Sequence, residues 1–245
     1  MISIYAIGDL HLSFTKRVDP DHINPETDIH KPMDIFGWDE HYYLIRRNWI
    51  EMVKEEDTVL LPGDISWAMR LDQAKNDFAW IAELPGRKIL SPGNHEYYAG
   101  SKKKVREALP ERMEWLDADY TVVEDYVIAA TRGWTLPGER GFTEEEDRKV
   151  YERQAGRLQI ALEGATKEHP DKKLIVMLHF PPISKYATES KFLDLLEAFQ
   201  VSHCVYGHLH GKEAHQEAME GIIKGVDCHL VACDAIEFSP KCIVK

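Results

Sequence analysis

The sequence predicts an α/β fold with a largely parallel sheet in its first half. Three short apolar runs, at residues 2–7, 58–61 and 88–90, resemble buried strands, and each ends in a glycine-containing turn with polar residues. Segments with helical periodicity, at residues 41–53 and 71–84, separate these runs. Strands that alternate with helices favour a parallel sheet covered by helices. In such folds the carboxyl ends of the strands carry the chemistry.

The composition is that of an ordinary globular protein with an acidic character. Of 245 residues, 44% are hydrophobic, and 42 acidic against 30 basic residues give a net charge of −12. This charge opposes non-specific binding to nucleic acid or to an acidic membrane surface. No apolar run reaches the length of a membrane span, and no repeat, low-complexity segment or linker is evident. We therefore expect one domain over residues 1–245 and no membrane association.

The cysteines predict a reduced protein. All four lie in the last fifth of the chain, without a C-x-x-C pair of the zinc-binding type, and no signal peptide precedes the first strand. We expect a cytoplasmic location and thiols that pack as small hydrophobic groups. The residues are Cys204, Cys228, Cys233 and Cys242.

Residues 13–39, between the first predicted strand and the first predicted helix, look irregular. They contain three prolines and many polar side chains. A connection this long in a compact domain is a candidate for lining a site, and the alternative is a floppy surface loop. The second predicted helix should end near Pro85 and Gly86, because proline and glycine both terminate helices.

After the third strand, the pattern predicts a crossing into a second sheet. Three lysines at 102–104 open a short helical segment, with a solvated face, that ends near Pro110. Two β-rich runs at 120–123 and 126–131 then predict a meander.

A charged helix is predicted next. Thr143 and Glu146 have the spacing of a capping box, in which two side chains bind the free amides of a helix amino terminus. The helix would run through about Leu162, with Gly164 as its end.

The last third contains the most strand-like run of the chain, residues 174–178. A helix at about 189–199 and a strand at 202–206 follow. We expect the remaining apolar runs to be antiparallel strands that finish the second sheet. They lie at residues 222–223, 229–233 and 242–244.

Polar groups suited to metal ions follow five of the predicted strands. Each of these polar groups alone has an ordinary structural explanation. Five such groups at the same edge of one sheet are difficult to explain by coincidence. Seven ligands are too many for one tetrahedral zinc ion. They suit two ions of five or six coordination that share a bridging carboxylate and leave positions open for water and substrate. The residues are Asp9, His11, Asp64, Asn94, His179, His208 and His210.

The order of these motifs resembles that of the calcineurin-like metallophosphoesterase superfamily, over residues 8–210. The resemblance rests on Asp9-x-His11, Gly63-Asp64, Gly93-Asn94-His95-Glu96, His179 and Gly207-His208-x-His210. It implies a four-layered αββα sandwich of two mixed β-sheets flanked by helices. It also implies that Asp9, His11 and His210 hold one metal and that Asn94, His179 and His208 hold the other. Asp64 would bridge the two metals.

The chemistry implied is metal-assisted hydrolysis. Two divalent cations about 3.5–4 Å apart lower the pKa of a shared water and bind the phosphoryl oxygens. The resulting bridging hydroxide attacks phosphorus in line. His95, which the family uses outside the metal shell, would protonate the leaving oxygen or steady the phosphoryl group, so His95 and Asp64 are the predicted catalytic residues. Oxygen and imidazole ligands without thiolate suit manganese, iron or zinc.

Two departures from the family bear on the substrate. Protein serine/threonine phosphatases carry an arginine shortly after the second-motif aspartate and another just after Asn-His-Glu, and this chain has neither. That argues against a protein phosphatase of this type.

Aromatic residues near these places, Trp67, Tyr97 and Tyr98, would stack on a base or an apolar leaving group, with core packing as the alternative. Arg70, Lys31 and Arg132 are candidate phosphate contacts, with a plain surface charge as the alternative for each.

The sequence thus predicts a cytoplasmic, metal-dependent phosphohydrolase, a phosphomonoesterase or phosphodiesterase, acting on a small-molecule phosphoester. A nuclease on the same framework is opposed by the net charge of −12. A non-catalytic, metal-bound interaction module is opposed by the complete ligand set. The natural substrate, the metal, the oligomeric state and the role of residues 13–39 stay open. Histidines outside the strand exits receive no role: His22, His30, His41, His169, His203, His215 and His229.

Overall fold

A computed structural model describes residues 2–31, 33 and 36–245. The first of its two sheets has the strand order β11-β1-β2-β3-β4. Neighbouring strands from β1 to β4 are parallel, and β11 pairs antiparallel with β1. The strands are β1 (Ile4–Ala6), β2 (Thr58–Pro62), β3 (Arg87–Ser91), β4 (Met113–Trp115) and β11 (Lys241–Val244).

The second sheet has the order β5-β6-β7-β8-β10-β9. Its inner strands β6, β7, β8 and β10 are parallel, and its edge strands β5 and β9 are antiparallel to their neighbours. The strands are β5 (Asp119–Val123), β6 (Tyr126–Thr131), β7 (Lys173–Leu178), β8 (His203–Tyr206), β9 (Gly221–Ile223) and β10 (Val226–Leu230).

The carboxyl-terminal strands differ from the prediction of antiparallel strands finishing the second sheet. Only β9 fits it. The strand β10 is parallel to β8, and β11 joins the first sheet, where it covers the edge of β1. That edge would otherwise expose unpaired backbone groups, which a sheet edge must cover or pair.

The helices cover the outer faces of both sheets, which gives four layers. Helix residues Ile45 and Phe78 pack with the first sheet, and Leu158 and Phe192 pack with the second. A third apolar cluster, which includes Leu60 and the β7 residue Ile175, lies between the sheets. The predicted αββα sandwich is therefore confirmed. The helices are α1 (Pro25–Asp28), α2 (His41–Met52), α3 (Leu71–Ala82), α4 (Lys102–Ala108), α5 (Arg148–Glu168), α6 (Lys191–Ala198) and α7 (Lys212–Glu217).

Helix α5 has other ends than predicted. Instead of a capping box between Thr143 and Glu146, the Asp147 carboxylate accepts hydrogen bonds from the amide and hydroxyl of Thr143, at 2.7 and 3.1 Å, and the helix begins at Arg148. Gly164 lies inside the helix. A Cβ atom there would lie 2.7 Å from Cε1 of Tyr120 in β5, so this glycine permits close packing of helix on sheet and does not end the helix.

No helix in the part of the chain that the structure describes is long and apolar enough to cross a membrane. All four cysteines are free, with Cys204, Cys228 and Cys233 buried and Cys242 half-buried. A single domain over residues 1–245 stays a prediction.

The two sheets meet where β1 ends. The amide of Gly8 donates to the carbonyl of Val231 at 2.7 Å, and the amide of Cys233 donates to the carbonyl of Gly8 at 3.1 Å. This link brings the strand ends of both sheets together. The polar strand exits were expected at the edge of one sheet, and that expectation is wrong, because β1, β2 and β3 belong to the first sheet and β7 and β8 to the second. The hydrophobic pattern of a strand does not encode which sheet it joins.

The buried carboxyl of Asp77 predicts a pH-dependent stability. It accepts a hydrogen bond from the Phe14 amide at 2.8 Å and one from the Ser66 hydroxyl, and burial raises its pKa to about 7. The folded state therefore binds the proton more tightly than the unfolded state, whose pKa is near 3.8, so stability falls as pH rises from about 4 to 7. The asparagine variant does not lose this stability, so we expect its free energy of unfolding to rise relative to that of the wild type over this pH window, by about 4 kcal/mol at most.

Urea unfolding of both proteins at pH 4, 6 and 8 measures this difference. If the difference in free energy of unfolding between the two proteins is the same at all three pH values, the pKa of Asp77 is the same in the folded and unfolded states and the prediction is wrong.

Candidate metal centre

The loops that follow five strands bring the seven predicted ligands into one place. The loop after β1 carries Asp9 and His11, the loop after β2 carries Asp64, and the loop after β3 carries Asn94. Across the sandwich, His179 follows β7, and His208 and His210 follow β8. The side chains of both sheets therefore meet at one end of the sandwich.

Four of these residues have a strained backbone. Asp9, His11, Asp64 and His208 have φ values of 57°, 46°, 49° and 72°, in the left-handed region that side chains usually avoid. Non-glycine residues persist in this conformation only where the surrounding structure holds them, and they cluster at functional sites.

A first group of ligand atoms surrounds His210. Its Nε2 atom lies 3.3 Å from Nε2 of His11 and 3.3 Å from Oδ1 of Asp9. The Asp64 Oδ2 atom lies 3.9 Å from Nε2 of His11. Nδ1 of His210 binds the carboxylate of Asp234 at 3.0 Å, which leaves Nε2 to face the group.

A second group surrounds the side-chain oxygen of Asn94. This oxygen lies 2.7 Å from Nε2 of His179 and 3.0 Å from Nδ1 of His208, and these two nitrogens are 3.2 Å apart. Nε2 of His179 is also 3.4 Å from Oδ2 of Asp64. Nδ1 of His179 lies 3.2 Å from the carbonyl of Pro62, which fixes the ring with Nε2 toward the group. The Oδ2 atom of Asp64 therefore lies between both groups.

The charges in the site fit bound cations. Burial, with the charges of Glu96 and Asp9, raises the pKa of Asp64 to about 9, so an ionised Asp64 needs positive charge beside it. Burial lowers the pKa of His179 and of His208 to about 3 each, so both rings are neutral and offer lone pairs. His210 differs, because its hydrogen bonds to Asp234 and Asp9 outweigh burial and raise its pKa to about 10, so it must release a proton when a metal binds. Imidazoles and carboxylates together are a donor set that divalent transition metals bind.

Two carboxylates that support the site were not predicted. Glu96 is buried and accepts hydrogen bonds from the amides of Gly93, Asp64 and Ile65, at 2.5, 3.1 and 2.6 Å. Asp234 binds His210 and the amide of Gly211. Glu96 belongs to the Asn-His-Glu motif, and Asp234 follows an apolar run in the same way as the predicted ligands. That strand-exit pattern is the signal that would have found it.

His95 lies beside the ligands and is partly exposed to solvent. Its backbone amide donates to Oδ1 of Asp64 at 2.9 Å, and its Nε2 atom is 3.9 Å from Oδ2 of Asp64. The ring is 28% exposed and lies 4.2 Å, between centroids, from Trp67. Burial and the neighbouring Lys31 charge lower its pKa. The His95 ring is therefore close to the ligands and accessible from solution.

Three of the candidate substrate contacts, Trp67, Lys31 and Tyr97, lie at the site. Trp67 stacks on His11 with 4.7 Å between ring centroids, and the amine of Lys31 lies 3.2 Å from the centre of the Trp67 ring. Tyr97 is 60% exposed, at the rim beside His95.

The side chains of the other three candidates make different contacts. Tyr98 is buried in the core against Phe78, because its ring faces α3 instead of solvent, so a substrate contact does not fit it. Arg70 is exposed and paired with Asp72 at the start of α3, and its charge is directed there. Arg132 packs over Trp134, and its role as a phosphate contact stays a prediction.

The close approach of Gly207 to Asp9 gives a testable effect. A Cβ atom at position 207 would lie 2.0 Å from Oδ2 of Asp9, whose carboxylate also accepts from the His208 amide. Gly207→Ala is expected to displace Asp9 and to weaken metal binding by about 10- to 100-fold. The matched control is Gly156→Ala in α5, where a Cβ atom meets nothing within 4 Å and helix propensity gains about 0.5–1 kcal/mol. Metal titration measures the affinity of both variants, and equal metal affinities for Gly207→Ala and Gly156→Ala would contradict the prediction.

Comparison with known proteins finds relatives in sequence and in fold. A sequence model of the calcineurin-like phosphoesterase family matches residues 2–212. The Gene 66 protein of Mycobacterium phage L5 is 24% identical over 172 residues, which are 70% of this chain and 65%, just under two thirds, of that protein. The Gene 66 protein of Mycobacterium phage D29 is 22% identical over 213 residues, 86% of this chain and 80% of that protein.

The phosphopantetheinyl hydrolase PptH from Mycobacterium tuberculosis has a similar fold. Its structure aligns with a TM-score of 0.57 at 14% identity, over 94% of this chain and 88% of that one. The family match confirms the prediction of a hydrolase that acts on phosphoester bonds, at the level of the family. Because that match covers most of the sequence, the chain belongs to the calcineurin-like phosphoesterase family.

Proposed function

We propose that the chain is a metal-dependent phosphoesterase that holds two divalent cations and hydrolyses a small phosphoester. The observation that carries this proposal is the division of the ligand atoms into two groups that share Oδ2 of Asp64. Asp9, His11 and His210 would hold one cation. Asn94, His179 and His208 would hold the other.

The donor set limits the choice of metal. It consists of imidazole nitrogens and carboxylate or amide oxygens, without a thiolate, which suits manganese, iron or zinc. When bound, two such cations would lower the pKa of a bound water and neutralise charge on the phosphoryl oxygens. The supporting carboxylate of Asp234 orients His210, as carboxylates beside metal-binding histidines commonly do.

Side chains of the protein orient the bridging carboxylate, donate a proton and attract the phosphoryl group. Asp64 is held by the amide of His95 through Oδ1, so Oδ2 keeps its direction. The ring of His95 stands beside Oδ2 and open to solvent, where it donates a proton to the leaving oxygen. The charge of Lys31, above Trp67, attracts the negative phosphoryl group to the same place.

Aromatic side chains around the ligands favour a substrate with a planar or apolar leaving group. Trp67 stacks on His11, Trp38 lies 5.3 Å from His210 between ring centroids, and the ring of Tyr97 is exposed at the rim. Such rings bury apolar area without needing a charged partner. The net charge of −12 argues against nucleic acid as the substrate. Four free thiols suit a reducing compartment such as the cytoplasm.

The test pairs metal analysis with turnover. Purified protein is analysed for manganese, iron and zinc, and is assayed with p-nitrophenyl phosphate and bis-p-nitrophenyl phosphate in added manganese. We expect about two metals per chain and hydrolysis of at least one compound, whose identity separates monoester from diester chemistry. A second panel contains nucleotides, sugar phosphates and a phosphopantetheinyl ester, because PptH is named for that group. Absence of bound metal after reconstitution would refute the proposal, and bound metal without any turnover would favour an interaction module.

A further inference from the structure

Two histidines and an aspartate that received no role in the sequence lie together, away from the candidate metal centre. They are His203, Asp227 and His229, and we call them the β8–β10 cluster. Asp227 in β10 pairs directly with His203 in β8, and His229 lies two residues further along β10, on the same face as Asp227. His203 and Asp227 stand at the amino ends of their strands. The candidate metal centre lies beyond the carboxyl ends, at least about 10 Å away along β8.

The three side chains converge on one point. Nδ1 of His203 lies 3.3 Å from Nε2 of His229. Oδ2 of Asp227 lies 3.7 Å from the first of these nitrogens and 3.4 Å from the second. In a tetrahedral zinc shell with bonds of about 2.0–2.1 Å, neighbouring ligand atoms are about 3.3–3.4 Å apart. One zinc ion therefore fits at bonding distance from all three atoms without moving the backbone.

The charges around the cluster leave it open to a cation. Within the part of the chain that the structure describes, the carboxylate of Asp227 forms ion pairs with the two imidazoles alone. Two strand lysines act on these histidines: Lys241 is paired with Glu220 at 2.7 Å, and Lys173 lies over the ring of Tyr126. Burial lowers the pKa of His203 and of His229, with the charges of nearby lysines acting in the same direction, so both rings offer lone pairs at neutral pH.

The cluster is reachable from solvent. The side chains of His203, Asp227 and His229 are 22%, 32% and 14% exposed. The face of the sheet that they share is covered further along by the core between the sheets, which contains Val205 and Val231. The cluster thus lies where that core ends, and its three side chains keep part of their surface in contact with solvent.

We propose that His203, Asp227 and His229 form a zinc site separate from the candidate metal centre, with three protein ligands and an open fourth position. Zinc there cross-links the amino ends of β8 and β10. These two strands lead directly to His208 and His210 on one side and to Asp234 on the other. The site stabilises the sheet beneath the candidate metal centre without supplying a ligand to it.

The experiment counts zinc ions and does not depend on turnover. The full chain is stripped with a chelator, dialysed against micromolar free zinc and analysed for zinc per chain. Asp227→Asn keeps the shape of the side chain and removes its charge, and a double variant, His203→Asn with His229→Asn, removes both imidazoles. The matched control is His22→Asn, which breaks the exposed pair of His22 with Asp19. In the described part of the chain, this pair belongs to no group of three potential metal ligands.

We expect both cluster variants to bind one zinc fewer than the wild type and the control. Zinc should also raise the melting temperature of the wild type by several degrees more than that of either variant, while hydrolysis of p-nitrophenyl phosphate in manganese changes by less than about twofold. Equal zinc counts in all four proteins would overturn the proposal. Loss of every zinc ion from a folded Asp227→Asn chain would overturn the claim of a separate site. Asp227→Asn decides the question if the double variant does not fold.

Discussion

Asp64→Asn is expected to lose at least one bound metal per chain and about a thousandfold or more in hydrolysis. The Oδ2 atom of Asp64 lies between both groups of ligand atoms, so its charge and its lone pairs are shared by both proposed cations. Asparagine keeps the size of the side chain but offers a neutral oxygen. Losing charge stabilisation worth about 4 kcal/mol at the phosphoryl group corresponds to this factor. Metal analysis and initial rates on the same preparation measure both effects.

The matched control is the same substitution at Asp77. This carboxyl is also buried, but it binds Ser66 and the amide of Phe14 and does not face the ligands. Asp77→Asn should keep the metals and the rate. If Asp64→Asn turns over normally with two bound metals, Asp64 is not the bridge. If both variants lose the metals, the loss reflects damage to the surrounding fold.

The residues at the site were accessible from the sequence because each follows a recognisable strand. The run 174–178 is apolar and β-branched, and it ends at His179, so the position of the histidine at a strand exit follows from local chemistry alone. The same holds for Asp9 after β1. The local sequence therefore predicted which residues follow the strands, and the order of the motifs indicated that these residues form one site.

What the sequence missed depends on contacts between distant segments. Asp234 supports His210 because β10 lies beside β8, and no pattern within either segment states that pairing. The place of β11 against β1 is of the same kind. Tyr98 is next to an exposed tyrosine in sequence, yet it is buried and its ring packs on Phe78 in α3, so the motif did not predict which of the two tyrosines faces solvent.

His95→Ala is expected to keep both metals and to slow hydrolysis by about 10²- to 10⁴-fold for esters with poor leaving groups. Its ring stands 3.9 Å from Oδ2 of Asp64 and is partly exposed, so it reaches a bound phosphoester without belonging to either group of ligand atoms. A proton donor matters most where the departing oxygen is strongly basic. An alkyl phosphate should therefore lose more rate than p-nitrophenyl phosphate, whose leaving group needs little protonation. Rates for a series of leaving groups measure this dependence.

The dependence of the rate loss on the basicity of the leaving group distinguishes two roles of His95 that a single rate would not distinguish. If His95 only steadies the phosphoryl group, its loss slows good and poor leaving groups by the same factor, because the interaction is independent of the departing oxygen. If it donates the proton, the loss grows with the basicity of the leaving group. His169→Ala, at the end of α5, controls for the removal of an imidazole elsewhere. A His95→Ala protein without bound metal would instead make His95 a ligand, and the division between ligands and proton donor would then be wrong.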